Sequence, residues 1–331
     1  MSVILLTGAS GAVGAAVLAA APAGRVVALS HRGVVAGRTV AGDITATRLG
    51  LDRSAYAALA GEVDTVIHCA GATDFTAPAE ELRALNVDGT RHVVAFAADA
   101  GARLVFASTA FVTRHATAAR MARPYLESKL VAEQIVRAAG LPGAIARIAV
   151  VMGDSRTGWM SRFQGLHSTV DAVLRNLLPV LPFAAEASID AVPCDVVARA
   201  MLTIADGPPA APPCEHWLTA GNAALTIERM VGLTAERGTA LGLTVGRPRF
   251  VGPALIDRVV RPVYIDPLPS PQRRKFDNLM SLASLFDQAP PFPSTLGELV
   301  AAPTTADLAT AFAATVDFLA ARRGLVAANL P

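Results

Sequence analysis

The stretch Leu5-Leu6-Thr7-Gly8-Ala9-Ser10-Gly11-Ala12-Val13-Gly14-Ala15-Ala16-Val17 runs from apolar residues through three evenly spaced glycines into an alanine-rich segment. The apolar run reads as a strand buried on both faces, and the alanine-rich segment reads as a helix. At such a turn Gly8, Gly11 and Gly14 permit a tight bend, a close approach of backbone to a pyrophosphate, and packing of helix on strand. The first N–H groups of the helix then face the phosphates. A glycine pattern alone is weak evidence, but strand before and helix after supply its required context. Thr7, Gly8, Ser10, Gly11, Ala12, Val13 and Gly14 are therefore expected to surround a dinucleotide.

Further along, short apolar runs recur at Val3 to Thr7, Val26 to Ser30, Thr65 to Cys69, Leu104 to Ser108 and Ala144 to Val151, and read as strands. Helical patterns lie between them, notably Glu80 to Ala100 and Pro124 to Ala139. The alternation predicts an α/β fold, a Rossmann doubly wound parallel sheet. After about Gly153 proline and glycine clusters break the rhythm. A helix is expected around Ile227 to Leu241, an irregular Pro-rich stretch over Pro248 to Pro271, and an amphipathic helix from Asp307 to Arg323. The expected division is a cofactor domain of residues 1–150 and about 186–222, with a smaller, mainly helical substrate lobe of about 151–185 and 223–331.

The end of the second strand bears on which nicotinamide cofactor binds. An NAD site usually carries an acid there, to hold the ribose 2′-hydroxyl. Here the place reads Ser30-His31-Arg32, and residues 1–42 contain three arginines and no acid. A carboxylate would repel a 2′-phosphate and a guanidinium binds it, so NADPH/NADP+ is expected, held by Arg32 with Ser30 and His31.

Composition excludes several classes. A formal net charge of +2 without basic runs points to neither nucleic acid nor an anionic membrane. Mean hydropathy is high at +0.44, yet no run is long and apolar enough to span a bilayer. The N-terminus lacks a basic leader, so a cytoplasmic protein is expected. Cys69, Cys194 and Cys214 are too scattered for a disulfide framework or a zinc site, and no metal is expected.

Pro124-Tyr125-Leu126-Glu127-Ser128-Lys129 holds one of three tyrosines and one of two lysines in the chain. On a helix the two lie one turn apart on one face. An ammonium beside a phenol lowers the phenol's pKa, fitting Tyr125 to exchange a proton with a substrate oxygen. Ser108 and Thr109 end a predicted strand, at the edge where open parallel sheets bind ligands. A hydroxyl there can orient a carbonyl.

The glycine loop, the Tyr125-Lys129 couple, "AGDIT" with Asp43, "VDTVIHCAGATDF" with His68 and Gly71, "LNVDGT" with Asn86, and the Ser108-Thr109 strand end together resemble the extended short-chain dehydrogenase/reductases. The stretch Arg147 to Gly165 is similar to the subgroup of male-sterility-type fatty acyl-CoA reductases and thioester reductase domains. The resemblance covers roughly residues 1–205. It implies that Thr109, Tyr125 and Lys129 are catalytic with Ser108 beside them, that Lys129 also holds the nicotinamide ribose, and that Asp43 contacts the adenine. It implies further that Asn86 supports the central helix, that Ile44, Cys69, Ala70 and Gly71 border the cofactor, and that Thr73, Phe75, Ala110, Phe111, Met152, Arg156 and Trp159 border the substrate. The subgroup's Arg-Pro is Arg147-Ile148 here, its Ala-Ala is Ala70-Gly71, and the gap from Thr109 to Tyr125 is short.

The expected activity is NADPH-dependent hydride transfer to a carbonyl carbon, with an acyl thioester as the substrate the resemblance favours. Its acyl group would arrive on CoA or on an acyl or peptidyl carrier protein in trans. Stand-alone reduction of an aldehyde or ketone is the alternative, and an NADP(H)-sensing regulator without turnover is a second. Ala110 and Phe111 stand where sugar nucleotide dehydratases carry acids, which counts against elimination.

Overall fold

The computed structural model describes residues 2–326 except Arg32, Val34, Ala36, Asp287 and Gln288. Its centre is a seven-stranded sheet of β1 (Ile4–Thr7), β2 (Val26–Ser30), β3 (Arg38–Ala41), β4 (Thr65–His68), β5 (Arg103–Thr109), β6 (Gly143–Ile148) and β7 (Cys214–Leu218). The spatial order is β7-β6-β5-β4-β1-β2-β3 with every pairing parallel. Strand order reverses between β1 and β4, and there the Rossmann topology opens its ligand crevice. Register carries the point to single residues: Thr7 pairs with His68, His68 with Phe106, and β5 runs three residues further to Thr109.

Helices cover both faces, because the central strands are apolar on each side. On one face α1 (Ala12–Ala20) and α6 (Cys194–Asp206) pack through Ala16, Val17, Val197 and Met201. On the other, α2 (Arg53–Ala60), α3 (Gly89–Asp99) and α4 (Arg123–Ala139) bury Leu59, Phe96, Ala132 and Val136. Gly140 stops α4 in the left-handed conformation at φ 64°, the C-terminal signal expected of it.

A third core lies beyond the carboxyl edge of the sheet. There α5 (Gly165–Leu174), α7 (Ile227–Ala240), α8 (Ser270–Phe286) and α9 (Thr305–Arg322) enclose Val170, Met230, Phe286, Phe312 and Val316 together with Phe111 and Tyr125. Each fully buried side chain of this kind contributes roughly 1.5–3 kcal/mol. The helical lobe is therefore fastened to the end of β5.

Several elements differ from expectation. β3 and β7 were not anticipated, since "RTVA" and "CEHWL" are half-exposed edge strands without continuous apolar runs. Chain expected as one strand to Val151 leaves the sheet after Ile148, and Val150–Met152 pairs instead with Ala191–Pro193. The helix expected over Glu80 to Ala100 contains a wide turn at Arg83–Asp88. The stretch Pro248 to Pro271, expected to be irregular, is helical over Pro253–Ile265. Wide five-residue turns there accommodate Pro262, which lacks the N–H that a regular helix would use.

Candidate active site

The turn after β1 is built by the glycines in different ways. Gly8 has φ +76°, and a Cβ on it would lie 2.5 Å from the Ala70 nitrogen, so the end of β4 comes as close as a backbone can. A Cβ on Gly14 would lie 2.1 Å from the Gly8 carbonyl oxygen, which presses α1 against the turn. At Gly11 a Cβ meets only that same oxygen, at 3.2 Å, so packing does not require the residue. Its bareness leaves room over the start of α1, whose N-terminus has no side-chain cap and no acid in its first turn. Free N–H groups and open space beside them fit a pyrophosphate.

Thr7 and His68 lock the two central strands. The Thr7 hydroxyl donates to His68 Nδ1 at 2.7 Å, and Nε2 lies 3.3 Å from the Thr90 hydroxyl, which itself donates to the Asn86 carbonyl at 2.7 Å. That network assigns the imidazole proton to Nε2. Burial, followed by the charge of Lys129, pushes the His68 pKa down to about 3, so the ring is neutral and structural.

At the end of β2, Ser30 accepts from the Gly42 N–H at 3.0 Å, and His31 Nδ1 lies 3.4 Å from the Asp43 carboxylate. Asp43 also accepts from the backbone and hydroxyl of Thr45, both at 2.8 Å. Burial works to raise its pKa, but these bonds and His31 hold it below the usual carboxylate range. An acid that the first 42 residues lack is thus brought by β3 to the tip of β2. Arg32 lies outside the described residues. Ile44 is buried against α3, where a Cβ on Gly89 would meet its Cδ1 at 2.8 Å.

Asn86 sits in the wide turn before α3 and joins the β4 loop to α4. Its Oδ1 accepts from Ala72 N at 2.8 Å, while Nδ2 donates to the Ala72 carbonyl at 3.1 Å and to Ser128 Oγ at 2.9 Å. Ser128 donates onward to the Tyr125 carbonyl at 2.7 Å. A Cβ at position 71 would lie 2.7 Å from Asn86 Oδ1, which accounts for Gly71.

Thr109, Tyr125 and Lys129 are brought together and nearly sealed, with 5%, 6% and 7% of their surfaces exposed. Phe75 packs edge-on against the Tyr125 ring at 5.3 Å. Burial pushes the Tyr125 pKa up to about 12, opposed by the Thr109 hydroxyl, so the phenol keeps its proton. The expected direction was downward, driven by Lys129. Lys129 instead directs Nζ to the Ala107 carbonyl at 2.7 Å and lies 4.5 Å from the centre of the Phe106 ring. Burial brings its own pKa down to about 8.

Ser108 faces away from this group. Its hydroxyl donates to Glu133 at 2.6 Å, on the other side of the strand from Thr109. Among the residues expected to border the substrate, Phe75 touches Tyr125, Ala110 is buried at the end of β5, and Thr73 is exposed. Phe111 is enclosed by Phe286 and Phe292, and Met152 is fully buried in the lobe core, so both shape the site from behind. Arg156 and Trp159 are exposed on the loop after Val150–Met152, whose Ser161 hydroxyl reaches the Ser10 carbonyl at 3.5 Å. Glu133 and Ser128 were not anticipated. The available signal was an acid at Glu133 among apolar helix positions, one turn beyond Lys129.

A nicotinamide-dinucleotide-binding family model described as male sterility protein matches residues 36–201, half of the chain. The chain belongs to that family. Its fold is the Rossmann fold of nicotinamide-dinucleotide-binding proteins. Among curated relatives, the glycine betaine reductase ATRR of Emericella nidulans is 27% identical over 183 residues, covering 50% of this chain and 14% of that protein. The terminal R domain of the myxalamid PKS-NRPS biosynthetic pathway is 22% identical at a TM-score of 0.74, covering 100% of this chain and 93% of that one. A thiolation-reductase di-domain from an archaeal non-ribosomal peptide synthetase is 17% identical at a TM-score of 0.64, covering 98% and 76%. Among the described residues no helix is long and apolar enough to cross a membrane.

Proposed function

We propose that this family member reduces an acyl thioester with NADPH, the acyl group arriving on CoA or on a carrier domain in trans. The observation that carries the reading is the sealed meeting of Thr109, Tyr125 and Lys129 at the carboxyl edge of β5, two strands from the glycine loop. Similarity to reductase domains of peptide and polyketide synthetases supports a thioester over a free carbonyl.

Gly8, Gly11, Gly14 and the start of α1 would hold NADPH, with Cys69, Ala70 and Gly71 bordering it on the β4 side, and the cofactor would supply the hydride. The Thr109 hydroxyl hydrogen-bonds the thioester carbonyl oxygen. Tyr125, protonated across the usable pH range, gives its proton to that oxygen as the carbonyl carbon is reduced. The C–S bond then breaks, releasing a thiol and an aldehyde. Lys129, one helical turn from Tyr125 with its ammonium on the Ala107 carbonyl, places positive charge under the nicotinamide side of the site. The lobe excludes water from the transfer, and Phe75 presents an apolar wall to the acyl chain.

NADPH oxidation against a panel of acyl-CoA and acyl-pantetheine thioesters, aldehydes and ketones, with products identified, tests the substrate class. Turnover of thioesters to aldehyde or alcohol is expected. Turnover confined to aldehydes or ketones would replace this reading with that of a carbonyl reductase, and NADPH binding without any turnover would replace it with that of a sensor.

The preference for the 2′-phosphate rests on Arg32 and on His31, which Asp43 holds at the tip of β2. Arg32→Ala is expected to raise the Kd for NADPH about tenfold or more while leaving NADH nearly unchanged, a charge-assisted bond to phosphate being worth about 1.5–3 kcal/mol. Titrations of both cofactors check this, and equal losses would remove the assignment.

A further inference from the structure

We propose that Glu133 is a positioning residue of this active site, clamping the end of β5 through Ser108 and holding a negative charge one helical turn beyond Lys129. Tyr125, Lys129 and Glu133 lie at intervals of four and share one face of α4. Glu133 is completely buried. Its Oε1 accepts from Ser108 Oγ at 2.6 Å and Arg147 Nε at 3.1 Å, and its Oε2 accepts from Arg147 Nη2 and Arg137 Nη2, both at 2.8 Å. Arg147 also reaches Glu215 at 2.9 Å and lies 4.9 Å from the Trp217 ring centre. One carboxylate therefore joins α4 to β5 and β6, and through its arginines to β7.

The clamp acts on the reacting groups in two ways. Side chains alternate along a strand, so tying Ser108 to α4 turns its neighbour Thr109 toward the opposite side and fixes that hydroxyl. The second concerns charge. Burial disfavours the Lys129 ammonium, and the groups facing it are the Ala107 carbonyl, the Phe106 ring, neutral His68, Cys69 and Glu133, with the neutral Tyr125 one helical turn away. Burial pushes the Cys69 thiol up to about 12, so it carries no charge near neutral pH. Glu133, kept ionised against burial by Arg147, Ser108 and Arg137, is the acid that holds Lys129 protonated.

The inference rests on the reductase reading for its kinetic half and stands apart from it in its titration half. The chain has two lysines, so selective isotopic labelling gives two lysine side-chain NMR signals, which Lys275→Arg assigns. In Glu133→Gln the Lys129 midpoint is expected to move below its wild-type value near 8. The high-pH fall in kcat should move with it, and a midpoint lower by about one unit raises the ratio of kcat at pH 6.5 to that at pH 8.5 roughly sixfold. Ser108→Ala keeps the carboxylate, and should lower kcat about tenfold without moving the midpoint. A folded Glu133→Gln with an unmoved midpoint overturns the charge role, and a Ser108→Ala with wild-type kcat overturns the clamp. If Glu133→Gln does not fold, Glu133→Gln with Arg147→Gln leaves the Arg137–Glu215 pair intact and is read in the same way. Wild-type protein that turns over no carbonyl substrate counts against the reductase reading, while the NMR midpoint still decides the role of Glu133.

Discussion

Tyr125→Phe is expected to lower kcat by about 10²–10⁴-fold, the range that positioned proton transfer supplies. The substitution removes one hydroxyl and little else. The ring stays among the buried apolar residues beneath the lobe and keeps its edge-on contact with Phe75, so the fold and the NADPH site should be unchanged. With a pKa near 12 the phenol is a proton donor at every working pH, and its own titration does not shape the pH profile between 6 and 10. Lys129, near 8, titrates inside that window: it is charged below pH 8 and loses its charge above. The wild-type profile should therefore hold at low pH and decline above about pH 8, whereas Tyr125→Phe should be low throughout. Steady-state rates from pH 6 to 10, with NADPH affinity measured separately, check this. A Tyr125→Phe rate within threefold of wild type would show that another group delivers the proton.

The parts of this site legible in the sequence are those set by local backbone demands. Three glycines after an apolar strand specify a turn, and Tyr125 with Lys129 on a helix specifies a shared face, because both are dictated by chain geometry alone. Central strands were legible because burial on both faces leaves unbroken apolar runs. Edge strands were not, since β3 and β7 bury only part of their surface and "CEHWL" leaves Cys214 and Glu215 exposed. The direction of the Tyr125 pKa was illegible for a related reason. Its neighbour in sequence is Lys129, but the ammonium turns to Ala107 on β5, and burial beneath a lobe assembled from residues past 150 dominates the phenol. Long-range partners such as Glu133 with Arg147, or Asp43 with His31, likewise come together only once the sheet order is known.

Gly8→Ala and Gly11→Ala should separate the structural from the ligand-binding duty of the loop. At Gly8 the new methyl would lie 2.5 Å from the Ala70 nitrogen and 2.6 Å from the Cys69 carbonyl carbon, both backbone atoms that cannot swing aside, and φ +76° is strained for any L side chain. Backbone strain of this kind costs roughly 1–3 kcal/mol, and overpacking adds a similar amount. Together about 2–6 kcal/mol is a large fraction of a typical folding free energy. Thermal unfolding without cofactor should therefore show Gly8→Ala strongly destabilised or unable to fold. At Gly11 the methyl meets only the Gly8 carbonyl oxygen, at 3.2 Å, and φ is an ordinary −80°, so Tm should change by a few degrees at most. NADPH affinity should nonetheless fall tenfold or more, because the methyl fills the approach to the free N–H groups of α1. Equal thermal losses in both variants, or Gly11→Ala binding NADPH as tightly as wild type, would mean that the pyrophosphate does not lie over Gly11.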